Sequence, residues 1–487
     1  MDYYRLKYLP KVMAFILWAC SFIFYFFTMN DMGLEALTAT MVWQFVFGLV
    51  MLYVCGFSMA SFAVIFEIFS FLFHGGQPLL EYLDIEAERP FDIFLNINTD
   101  DLVVSLRFYI GVQFMLIFGM ALTRIAKQRY KTVQNIHPSK CSVQIGEESQ
   151  YSDVFRIGRV LFCVGVLPRL YIDISQFILF FKGGYLATYT TGINGYVQVI
   201  AYCFQVGVLL MVIGRQKNKK IATAIALSTT AYLVLTMLKG GRASQVVFLI
   251  ALWFVYFKLV SQMTFKKGII ILAIGYIGIV FLSVVGSIRK VGSEEYSQFS
   301  ELFRDSLGMQ TLWDSLGEFG GTAITLCYSV MFFPKVAPFA HGVPYITSLM
   351  SLLPNIGGLL TGFQSKWIYV NQFPKAYRYA LGGSYIGELY YNFSFVGGIA
   401  AGLVLGVLIG IYSNSIDKAI TERKWLKLSV FMIPFATLLI WIRGYFSDSV
   451  RQFVWISVFV MIIYYFIKMQ RSGRKRENQH NYVSLRS

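Results

Sequence analysis

Apolar runs of about twenty residues recur along the whole chain, separated by short polar segments. Period-two alternation is absent, so helices are the elements expected to satisfy the backbone in lipid. The runs predict helices at about 11–29, 34–55, 57–73, 102–123, from 154 with an interruption at Pro168, 195–214, 221–238, 245–263, 268–287, 384–412, 428–442 and 452–468. The expected fold is therefore all-α, a polytopic integral membrane protein of about twelve transmembrane helices forming one domain over residues 1–487. The longest polar segment, 288–381, precedes the tenth helix. Its two apolar stretches, about 319–333 and 343–360, are interrupted by prolines and too short to span comfortably, so they are expected to be interfacial or re-entrant. A basic tail, 469–487, closes the chain.

Composition agrees with this pattern. Hydrophobic residues make up 56% of the 487 and charged ones only 14%, against about 25% charged in soluble domains. In a soluble protein a net charge of +16 would point to nucleic acid. Here the excess follows the loops. With both termini in the cytoplasm, the cytoplasmic segments hold about 25 of the 42 Lys and Arg and about 7 of the 26 Asp and Glu. That frame makes 288–381 a large external loop and requires no nucleic-acid partner. The six cysteines are scattered, with no CxxC spacing, and define neither a disulfide frame nor a metal site. The N-terminal apolar run has no small-residue cleavage site before Asn30-Asp31 and reads as an uncleaved first helix.

Candidate chemistry gathers at the external ends of helices. Arg242, Arg289, Arg378, Arg443 and Arg451 all lie there, against the tendency that keeps cations inside. A guanidinium matches phosphate oxygens with two parallel N–H groups, so this set points to an anionic lipid head group such as a polyprenyl diphosphate. The alternative for each is a local ion pair or a side chain snorkelling to lipid phosphate. Lys239-Gly240-Gly241-Arg242-Ala243-Ser244 places two glycines and cations ahead of a helix start, where free amides and the dipole favour an anion. Lys239 joins the substrate-binding candidates on that ground.

The second motif is Gly382 to Ser394, GGSYIGELYYNFS, which carries a carboxylate into an apolar run. Ser384, Glu388 and Asn392 are spaced by four and share a helix face, flanked by Tyr385 and Tyr391. Glu388 is a candidate general base or sugar ligand, with a structural ion pair as the alternative. Other candidates are Glu318 and His341 in the long loop, and Tyr377 beside Arg378 as a sugar-stacking ring. Asp100-Asp101 has no converging second cluster, so no metal site is expected. Gly398, Gly402, Gly406 and Gly410 form a small-residue ridge for helix packing.

With KGGRAS and GGSYIGELYYNFS in place, the chain resembles the bacterial oligosaccharide repeat-unit polymerases, the Wzy-type O-antigen and capsule polymerase family. The resemblance covers most of the chain and implies a fold like the C-type membrane glycosyltransferases, related to the O-antigen ligases. It implies an inverting, metal-independent and cofactor-free transfer of a glycan from polyprenyl diphosphate onto another lipid-linked repeat unit at the outer face of the cytoplasmic membrane. It also implies a chain-length regulator as a further partner. External arginines would hold the diphosphate, with Arg242 and Arg378 the best matches by position. The competing readings are a lipid-linked oligosaccharide flippase, which should show repeated halves and polar residues deep in mid-helix, and an O-antigen-type ligase, which differs in acceptor.

Overall fold

The computed structural model describes residues 2–133, 143–188, 193, 195–239, 243–261, 263–291, 299–350, 352, 368–378 and 381–484. Among these residues every regular element is a helix and no strand occurs. In chain order they are α1 (Asp2–Thr28), α2 (Leu34–Cys55), α3 (Phe62–Tyr82), α4 (Ile93–Asn96), α5 (Thr99–Val133), α6 (Val143–Ala187), α7 (Gly195–Gly214), α8 (Lys219–Met237), α9 (Ala243–Leu259) and α10 (Phe265–Val291). There follow α11 (Phe299–Asp305), α12 (Met309–Gly320), α13 (Ala323–Phe332), α14 (Val343–Met350), α15 (Tyr385–Thr421), α16 (Trp425–Trp441) and α17 (Phe446–Ser484). Nine helices among the described residues are long and apolar enough to cross a membrane, and α9 and α16 are shorter apolar helices. The chain is a multi-pass helical membrane protein.

The expected spans all fall on helices, nine on those long and apolar enough to cross, two on the shorter α9 and α16, and one on α6, which is not among those eleven; their ends differ for physical reasons. The third begins at Phe62 because Ser58–Ser61 turns first, and it runs on to Tyr82 because its polar residues His74 and Gln77 are paired inside the bundle. The interruption in α6 falls at Gly183 and Gly184, whose backbone leaves the helical region; Pro168 lies within helix. The basic tail continues α17 as helix to Ser484. Cys20, Cys55, Cys163, Cys203 and Cys327 are free thiols, and Cys141 lies outside the described residues.

Two close helix pairs fix the frame. α15 lies along α5 through its glycine ridge, and a Cβ added at Gly406 would sit 2.1 Å from the Leu116 carbonyl oxygen. Gly119 of α5 returns the contact: its Cβ would meet the Leu403 oxygen at 2.4 Å. Likewise α6 and α7 touch backbone to backbone at Gly165 and Gly207. Gly406→Val therefore must push α15 off α5 and is expected to cost at least about 1–3 kcal/mol. Gly278→Ala, at a glycine with open space around it, is expected to be neutral. Detergent melting curves of the two variants check the pair.

The long segment before α15 is folded onto the bundle. α12 packs on α3, where a Cβ at Gly320 would meet the Gln77 amide nitrogen at 2.4 Å. Nine of the ten residues of α13 are buried, so it is an inserted plug against α5 and α15. α14 packs on α17.

Candidate functional site

The GGSYIGE segment is held from three sides. Gly383 N–H donates to the Arg443 carbonyl at 3.0 Å, and a Cβ at Gly383 would sit 2.1 Å from the Gly444 oxygen, so only glycine fits there. The Tyr369 hydroxyl accepts from Ser384 N–H at 2.6 Å and donates to the Ser384 carbonyl at 3.1 Å. Ser384 caps α15, its Oγ accepting from Gly387 N–H at 3.1 Å. The same Oγ lies 2.7 Å from His74 Nε2. His74 Nδ1 bonds the Ser70 carbonyl, which can only accept, so in the neutral ring Ser384 is the donor to Nε2. Tyr385 OH meets Ser70 Oγ and the Gln113 amide, each at 2.8 Å. Ser384 and Tyr385 thus lock the helix start onto α3 and α5.

Glu388 turns another way. Its Oε2 accepts from the Trp441 indole N–H at 2.8 Å and from the Phe446 backbone N–H at 3.3 Å. It is 6% exposed, and these two donors offset much of what burying a carboxylate costs. Asn392 Nδ2 donates to the Glu388 carbonyl at 2.7 Å, which stiffens the turn beneath it. Two residues later Ser394 takes φ +60°, and the helix breaks into a short opening segment and a long shaft.

Glu388 lines a chamber of about 380 Å³. The wall opposite comes from α7 (Gln198, Tyr202), the start of α9 (Ser244) and the start of α17 (Asp448, Arg451, Gln452). Pro344, Thr347 and Ser348 of α14 and Tyr445 complete it. Burial pushes the Tyr445 phenol up to about 12, so it stays a neutral hydrogen-bonding group. Residues at the N-terminal ends of four long helices, α7, α9, α15 and α17, border this one space. The helix dipole gives each such end roughly half a positive charge.

Of the sequence candidates, Glu388 and Arg451 meet in the chamber, joined there by Ser244 of the KGGRAS motif. The others lie as follows. The Arg443 guanidinium stands 5.3 Å from the Phe73 ring centre. Arg378 is exposed, with Nε donating to the Phe373 carbonyl. Tyr377 packs its ring on Tyr328 and Phe332, 5.1 and 5.0 Å away. Lys239 is buried and bonds Asp173 and Gln176. His341 is exposed on a left-handed turn (φ +51°) just before α14, and Glu318 lies on α12. Neither of these two borders the chamber. Arg242 lies outside the described residues, as does the side chain of Arg289, whose backbone belongs to α10.

Sequence reading passed over Trp441, Tyr202, Gln198, Gln452, His74 and Asp173. For His74 and Asp173 a signal existed: an ionisable group inside an apolar run marks a paired interior site. The uncharged wall residues carry no such mark.

A chamber bordered by the starts of four helices, by Arg451 and by the carboxylates of Glu388 and Asp448 thus lies inside a multi-pass helical bundle. The family model for the O-antigen polysaccharide polymerase Wzy matches residues 11–473. The chain belongs to that family, whose members are enzymes of glycosyl-transfer type. No match to the chain is found among curated proteins or among solved structures.

Proposed function

We propose that this chain extends a polysaccharide by transferring a glycan from its polyprenyl diphosphate carrier onto a second lipid-linked repeat unit, in the chamber beside Glu388. The observation that carries the reading is the convergence of four helix N-terminal ends and Arg451 on a space that also holds the carboxylates of Glu388 and Asp448. A departing diphosphate needs its growing negative charge met by fixed positive dipoles and cations, and that stabilisation needs no metal. The acceptor hydroxyl needs a base within reach, and Glu388 offers the carboxylate oxygen that Trp441 and Phe446 leave open. Inversion follows if the hydroxyl attacks opposite the diphosphate in a single step. Gln198, Gln452 and the hydroxyls of Ser244, Thr347 and Ser348 offer the mixed donors and acceptors that sugar hydroxyls require.

The same reading puts both termini in the cytoplasm, makes 288–381 an external cover, and sets the chamber at the outer face of the inner membrane. α7, α9, α15 and α17 are alternate spans, the sixth, eighth, tenth and twelfth, and in that frame all four begin outside. A fold of the C-type glycosyltransferase kind and a chain-length regulator as partner belong to the proposal too.

The test is polymerisation by purified protein supplied with a lipid-linked repeat unit, with and without chelator. Polymer in both arms is expected. Transfer seen only when a different acceptor, a glycolipid without a diphosphate carrier, is added would favour a ligase, and translocation without bond formation a flippase. Arg242→Ala is expected to lose polymer while single repeat units accumulate in the membrane; the same loss from Arg378→Ala, at a residue that does not border the chamber, would extend the diphosphate site beyond it. A normal ladder of chain lengths from either variant removes that residue from the diphosphate site.

A further inference from the structure

A buried charge cluster that the proposed chemistry does not use joins α6 to the end of α8. Asp173 of α6 is 3% exposed and Lys239, just past the end of α8, is 4% exposed. Arg169 Nε donates to Asp173 Oδ2 at 2.8 Å, and the Tyr232 hydroxyl donates to the same oxygen. Lys239 Nζ donates to Asp173 Oδ1 and to Gln176 Oε1. One carboxylate faces two cations here, so the cluster keeps a surplus positive charge. Burying such a group is a poor way to gain stability, since well-packed apolar side chains do as well or better.

Its location supplies a role. Lys239 opens the KGGRAS motif, and five residues later Ser244 borders the chamber. Asp173 therefore pins, through Lys239, the end of α8 four residues ahead of α9, whose start borders the chamber.

We infer that Lys239 is a positioning residue: tethered by Asp173 and Gln176, it holds the end of α8 and, four residues on, the start of α9 that borders the chamber. The ligand's chemistry rests on the proposed function; the tether does not. A lysine in a glycine-rich anion motif would ordinarily be taken to touch the phosphates itself, whereas this one is spent on an interior carboxylate.

Lys239→Met is the cleaner variant, because it leaves Arg169 and Asp173 as a balanced pair. The probe is a short-chain polyprenyl diphosphate, titrated onto detergent-purified full-length protein, with turnover measured separately. Lys239→Met is expected to weaken probe binding about tenfold and raise KM for the lipid-linked donor by a similar factor, with kcat within about twofold, equivalent to about 1.4 kcal/mol of binding. Lys239→Arg is expected to restore binding. Asp173→Asn separates position from charge: it keeps both cations and loses the tether, and binding is expected to fall. A rise would overturn the positioning role. Unchanged binding and KM in Lys239→Met, with only a lower melting temperature, would reduce the cluster to a structural one. If Asp173→Asn does not fold, the Met and Arg variants still decide. Should the wild type bind the diphosphate yet build no polymer, the function proposal fails while the tether remains measurable.

Discussion

Replacing Glu388 with glutamine is expected to stop chain growth while leaving the protein folded. The substitution keeps the side chain's size and an oxygen that can still accept from the Trp441 indole and the Phe446 amide. It removes only the ability to take a proton. A positioned base contributes about a hundredfold to ten-thousandfold, so turnover on a lipid-linked repeat unit should fall by that much. Melting temperature and binding of a polyprenyl diphosphate should hardly move. Glu388→Ala serves as the contrast, since it abandons two buried donors and should destabilise as well. Glutamine protein that builds polymer at the normal rate would rule Glu388 out as the base.

Arg451→Ala should give the second large loss. Arg451 sits on the second turn of α17 and borders the chamber close to Gly195, near enough that a Cβ there would lie 3.3 Å from its Nη1. Removing a preorganised donor from a developing negative charge costs about a hundredfold to a thousandfold in kcat. Arg451→Lys keeps the charge without the planar fork and should recover part of the rate. Quantifying product chain lengths in vitro checks both variants. Equal activity of alanine and wild type would move the diphosphate away from this wall.

Much of the frame was legible in the sequence because lipid imposes a strong, simple rule. A run of about twenty apolar residues has few fates besides a helix, and α2 and α7 coincide with their expected limits. The glycine ridge was equally direct: spacing by four on one helix has an immediate geometric meaning, and Gly398–Gly410 lie against α5. The site was legible only where charge stood out against an apolar background, as with Glu388 and Arg451. Direction could not be read. Ser384 and Glu388 share a helical face by spacing, yet the first is drawn to His74 and the second to Trp441, because the partners come from α3 and α16, distant in sequence. Lys239 shows the same limit: nothing near it in sequence reveals that Asp173, sixty-six residues earlier, claims its ammonium group.

The break at Ser394 has a mechanical outcome. Below it, α15 is clamped to α5 by glycines and behaves as a fixed post. Above it, the turn bearing Glu388 is gripped by Tyr369 at Ser384 and by the Ala340 amide at the Tyr391 carbonyl. The Glu388 turn is therefore shared between the covering segment and the membrane helices that bond Ser384, Tyr385 and the carboxylate itself. Displacement of that segment would load the Glu388 turn through two hydrogen bonds, and the bonds from Trp441 and Phe446 would resist it.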